Sequence, residues 1–139
     1  MTNPFRIDGA GSIDRARELG FRFNGKPLHG YAGDSLASAL LANGIHLVGR
    51  SYKYHRPRGI FSAGNEEPNA VVQLENGART EPNLQATGIE LYDALEASSV
   101  NGYPSLEFDL RAIQSFASSI LVAGFYNKTF KWPRSFWKN

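Results

Sequence analysis

The sequence predicts an α+β fold, a small mixed sheet with one helix across its face. Two observations carry that prediction. Apolar alternation flanks an Asn-Gly dipeptide twice, at Asn24-Gly25 and Asn76-Gly77, and each reads as a β-hairpin with a tight turn. Between them, AGDSLASALLANGI puts Leu36, Leu40 and Leu41 on one helical face, with alanines for close packing.

Residues 1–20 are polar and dotted with glycine, and read as an arm. The DGAGS within them lacks the third glycine and the preceding strand of a phosphate loop, so it reads as a turn. FRFNGKPLHGY, residues 21–31, is the first hairpin, with Phe21 and Phe23 on one face. Asp34 or Ser35 can cap the helix, and Asn43-Gly44 ends it with a left-handed residue. Ile45, Leu47 and Val48 form a short apolar run expected to be a strand. Residues 49–69 read as a long loop, a length that is usually functional or disordered. AVVQLENGARTE, residues 70–81, is the second hairpin, with Val72 and Leu74 inward. Residues 85–99 fit a helix through Ile89, Tyr92 and Leu95, or a strand through Ile89 and Leu91. This order of elements is that of the β-grasp fold, which plant-type ferredoxins use.

A change of character at Tyr103-Pro104 marks a boundary. Asp109 can cap a second helix, with Leu110, Ile113, Phe116, Ala117 and Ile120 on one side. The tail GFYNKTFKWPRSFWKN then crowds aromatics together. Phe130, Trp132, Phe136 and Trp137 are its candidates for contact with another domain. The organisation is therefore an arm over 1–20, a β-grasp domain over 21–102, and a helix with an aromatic linker over 103–139.

Composition narrows the chemistry. The chain of 139 residues is 42% apolar, enough for a real core. It has no cysteine, which excludes disulfides and thiolate-bound zinc or iron–sulfur clusters. His29, His46 and His55 show no metal-ligand spacing. No long apolar run marks a membrane span or a signal peptide, so a cytoplasmic location is expected. The net charge is only +2, but no Asp or Glu lies between Ser35 and Asn65, and none follows Asp109. Within the first gap, Arg50, Lys53, His55, Arg56, Arg58 and Gly59 form the most chemically loaded group. It can line a cofactor phosphate, with Gly59 allowing close backbone approach, or it can form a subunit contact. Tyr52 and Tyr54 interleave with these cations, a pattern also found in single-strand binders, but the near-neutral total charge argues against nucleic acid. No nucleophile or metalloprotease motif is present, and the chain is not expected to be catalytic by itself.

The run RSYKYHRPRGIFSAGNEEPNA, the helix before it and the tail GFYNKTFKWPRSFW resemble the N-terminal region of the α subunit of heterotetrameric sarcosine oxidase. Related amine and opine dehydrogenases carry a similar domain with a [2Fe–2S] cluster. Laid on those relatives, the first three ligand places, spaced C-x4-C-x2-C, fall on Ser62, Glu67 and Ala70, and the fourth near Gln85. None of these residues replaces a thiolate. The resemblance thus implies a ferredoxin scaffold without its cluster, in which Glu66, Glu67 and Asn69 are expected to fill the old site by hydrogen bonding to loop amides.

The resemblance further implies a complex that oxidatively demethylates sarcosine to glycine. Its FAD lies in the β subunit, its FMN at the α–β interface, and its NAD in a Rossmann-type region of the α subunit. The partners implied are the remaining α-subunit domains and the β, γ and δ subunits. No GxGxxG occurs here, so no cofactor is assigned to this chain alone, which reads as a fragment or a separately encoded piece with a structural role. A stand-alone adaptor that docks on a flavoprotein through the basic loop is the alternative. A nucleic-acid module is the weaker third.

Overall fold

The computed structural model describes residues 3–75 and 77–119. Five strands form one sheet: β1 (Asp14–Phe23), β2 (Lys26–Ala32), β5 (Val71–Leu74), β6 (Glu81–Gln85) and β7 (Leu95–Ser99). Their order across the sheet is β2-β1-β7-β5-β6. The central pair β1 and β7 is parallel and the other pairs are antiparallel. One helix, α1 (Leu36–Ala42), packs on the sheet, and a two-strand ribbon of β3 (Gly49–Arg50) and β4 (Pro57–Arg58) stands beside it. This is the α+β β-grasp arrangement.

The first hairpin folds as its turn chemistry dictates. Asn24 and Gly25 both take positive φ, 51° and 76°, and Phe23 pairs with Lys26. The strand starts at Asp14, however, not at Phe21. Residues 14–18 are exposed and, apart from Ala16, charged, so no apolar alternation announces them; Asp14 and Glu18 pair with Ala32 and Tyr31 of β2, with an irregularity between them. The arm is thus shorter than expected, and it is tethered. Arg6 forks onto the buried Asp34 carboxylate at 2.7 and 3.2 Å, and Phe5 meets His46 edge-on.

Ser35 is the N-cap of α1, its hydroxyl accepting from Ser38 N–H at 3.2 Å. Gly44 at φ 76° closes the helix in a Schellman motif, with Gly44 N–H to Leu41 O and Ile45 N–H to Leu40 O, both at 2.9 Å. Leu36, Ala37, Ala39 and Leu40 pack on Phe21, Phe23, Leu28, Val72 and Leu95. Leu36, Leu40 and Leu95 are fully buried, each contributing about 1.5–3 kcal/mol of apolar burial.

Three expectations change, and one alternative left open is decided. Residues 45–48 are not a strand: the Ile45 amide is spent on the helix end, while Val48 sinks into the core and bonds to Arg58 O. The second hairpin does not turn on a two-residue loop. Leu74 faces Glu81, and a 3-10 turn over Gly77–Arg79 lies between them. Residues 95–99 form a strand, because this segment fills the slot between β1 and β5 and pairs with both. Residues after 102 fold back: Leu106 is buried in the core, so contacts cross the boundary expected at 103. Leu110–Ser119 then coils as a 3-10 helix with Leu110, Ile113 and Phe116 exposed. Ile120 and the aromatic tail, with Phe130, Trp132, Phe136 and Trp137, lie outside the described residues.

Candidate functional site

The loop between the ribbon and β5 curls around one carboxylate. Glu67 is fully buried. Its Oε1 accepts from the N–H groups of Asn69 at 2.8 Å and Ala70 at 3.2 Å. Its Oε2 accepts from Phe61 N–H at 2.6 Å, from the N–H of Ser62, and from the Ser62 hydroxyl at 3.3 Å. The Gln85 carboxamide closes the ring by donating to Glu67 O at 3.0 Å and Asn65 O at 3.3 Å. Ser62 and Ala70 therefore meet the Glu67 carboxylate, while Gln85 reaches the same loop through the Glu67 and Asn65 backbone carbonyls. Burial pushes the carboxyl pKa up, but the donors from Ser62, Asn69, Phe61 and Ala70 outweigh it and hold the group below its ordinary value. The neighbours contribute less than expected. Glu66 is exposed and, among the described residues, accepts only from Gly64 N–H at 3.3 Å, and Asn69 contributes its backbone N–H.

The basic loop divides into an inner and an outer part. Arg50 is not available to a ligand. Its guanidinium donates to Leu106 O at 2.7 Å and His55 O at 2.8 Å, and lies 3.5 Å from Asp109. His55 is buried at φ 52°, with Nδ1 2.7 Å from Asp109 Oδ2. Asp109 also accepts from Tyr103 N–H at 3.3 Å and Arg111 N–H at 3.0 Å. Burial raises its pKa, but the Arg111 amide, His55 and the Tyr103 amide bring it below the ordinary carboxylate value. Arg50, His55 and Asp109 thus form an internal lock between the loop and the segment after β7. Sequence reasoning missed it because 54 residues separate His55 from Asp109. Gly59 does allow a close approach, but the group that comes close is His46 O, which a Cβ would meet at 2.6 Å.

The outer part is solvent-facing. Arg56 and Arg58 are exposed, as are the rings of Tyr52 and Phe61. Lys53 and Arg56 sit over the buried Tyr54 ring, at 5.9 and 4.9 Å. Tyr54 is therefore covered, and the alternating pattern offers no continuous stacking platform for bases.

Sheet order, helix and curled loop together define a ferredoxin-type β-grasp domain. The chain belongs to the family described as "2Fe-2S iron-sulfur cluster binding domain", which it matches over residues 16–102. Its relatives include sarcosine oxidase subunit alpha of Rhizobium meliloti (strain 1021), 55% identical over 96% of this chain. The subunit of the same name from Corynebacterium sp. (strain U-96) is 40% identical over 77% of this chain. The chain spans 14% and 12% of the length of those two relatives. The crystal structure of L-proline dehydrogenase from P. horikoshii is similar at 29% identity and a TM-score of 0.48, over 68% of this chain and 17% of that one.

The family's namesake group does not fit the residues present. A [2Fe–2S] cluster of the plant type needs thiolates, and the sequence has no cysteine. The interior of the loop is also filled by the Glu67 side chain and its amide donors. Among the described residues, no helix is long and apolar enough to cross a membrane.

Proposed function

We propose that the chain is the N-terminal domain of a sarcosine oxidase α subunit, and that it acts as a cluster-free structural and subunit-contact module. The observation that carries this reading is the Glu67 ring: a buried carboxylate satisfies the amides of Phe61, Ser62, Asn69 and Ala70, in the loop that the resemblance assigns to a cluster. The loop keeps a ferredoxin shape without iron, and one-electron relay is not its task. The high identity to a named α subunit supports the assignment. The whole enzyme would oxidatively demethylate sarcosine to glycine, with FAD, FMN and NAD held by other domains and subunits. Exposed Leu110, Ile113 and Phe116, just before the aromatic tail, suit docking onto the next α-subunit domain. A cytoplasmic location accords with this role.

The test is purification through a tag at Met1 from the source organism, followed by the visible spectrum and iron and acid-labile sulfide analysis. The expected product is a yellow assembly that makes peroxide from sarcosine and carries no iron traceable to this domain. A colourless protein without partners would overturn the oxidase reading. Stoichiometric iron and sulfide on this chain would overturn the cluster-free reading.

A further inference from the structure

We propose that a polar cleft beside the ribbon is a binding site for a phosphate-bearing small molecule. The cleft, about 410 Å³, lies where β3 and β4 meet the start of β5, the middle of β6 and the residues that follow β7. Arg58, Ser51, Asn69, Asn83 and Asn101 line it, together with Arg50. Among the described residues, no acidic side chain lines it. The nearest carboxylate in sequence, Glu67, is turned inward onto its four amides.

The two arginines differ in what they can offer. Arg50 is spent on Leu106 O, His55 O and Asp109. Arg58 is exposed and makes no salt bridge among the described residues. Its guanidinium is a planar fork of donors matched to phosphate oxygens. The three asparagines add carboxamides, and two of them, Asn83 and Asn101, sit at positive φ, 60° and 62°. Asn101 is partly committed through Nδ2 to Arg50 O at 3.1 Å. Among the described residues, one free cation, several neutral donors and no carboxylate select an anion rich in acceptors. The cleft leaves room for more than a bare oxyanion, so an organic phosphate is proposed, and inorganic phosphate shares the chemistry. The site stands on this chain's own residues and does not depend on the oxidase reading.

Calorimetric titration of the natively tagged protein tests it, with inorganic phosphate and with AMP as probes. Wild type, Arg58→Gln, Asn69→Ala and Arg56→Gln are compared, the last as an exposed cation that does not line the cleft. Saturable binding is expected in wild type and in Arg56→Gln. Arg58→Gln should weaken it about tenfold and Asn69→Ala about threefold. AMP binding tighter than phosphate assigns the site to a nucleotide, and equal affinities assign it to the free oxyanion. Equal affinities across all four proteins, or equal losses in Arg56→Gln and Arg58→Gln, overturn the proposal.

Discussion

Replacing Glu67 tests the centre of the domain most directly. In Glu67→Ala, the N–H groups of Phe61, Ser62, Asn69 and Ala70 all lose their acceptor. A hydrogen bond to a charged group is worth about 1.5–3 kcal/mol, and each stranded buried donor costs about 1–3 kcal/mol. Water entering the vacated space offsets part of this, so the expected net loss is about 4 kcal/mol, a large share of a small domain's total. Glu67→Gln keeps one acceptor but turns an NH2 group toward two donors, and about 2–3 kcal/mol is expected. Urea unfolding of the purified protein measures both, with hydrogen exchange of the Ser62 and Asn69 amides as the local readout. The pH dependence adds a sign. Because the folded pKa lies below the ordinary 4.5, the unfolded chain takes up the proton first as pH falls. The contribution is complete above the unfolded value and is lost as pH falls through the folded one. Glu67→Gln should remove that part of the acid dependence. A loss under about 1 kcal/mol for Glu67→Ala, with unchanged amide protection, would refute the reasoning.

Three further outcomes are expected. Asp109→Asn weakens the lock with His55 and Arg50, and should cost about 2–3 kcal/mol in urea unfolding while exposing residues 103–119 to proteolysis. Unchanged stability would show that the segment docks without the lock. Gly59→Ala drives a methyl to 2.6 Å from His46 O, which backbone must yield to, so a loss of about 1–3 kcal/mol in thermal unfolding is expected. Tyr92 donates to Glu75 at 2.7 Å, and that bond, then burial and the charges of Glu75 and Glu81, push its pKa up to about 12. Glu75→Gln should bring the Tyr92 ring signal, followed by carbon NMR, back toward 10.0, and an unmoved titration would contradict the contact.

The sequence by itself determined the elements whose causes are local. The Asn24-Gly25 turn, the Ser35 cap and the Gly44 helix end each depend on a few adjacent residues, and each appears where those residues stand. The absence of cysteine likewise excluded thiolate ligation of a cluster before any coordinates. Tertiary structure decided everything that depends on distant partners. β1 reached back to Asp14 because Asp14 and Glu18 pair with β2, and 95–99 became a strand through a slot between β1 and β5. Five basic-loop side chains look equivalent in sequence, yet Arg50 and His55 are consumed by Leu106 and Asp109, and Arg58 is left in the open. The resemblance singled out Glu67, but the amides that hold it come together only when the loop closes on β5 and β6. Propensity and turn chemistry act within a few residues of chain, whereas the protonation and availability of a charged group depend on which donors and acceptors the fold brings within about 3 Å.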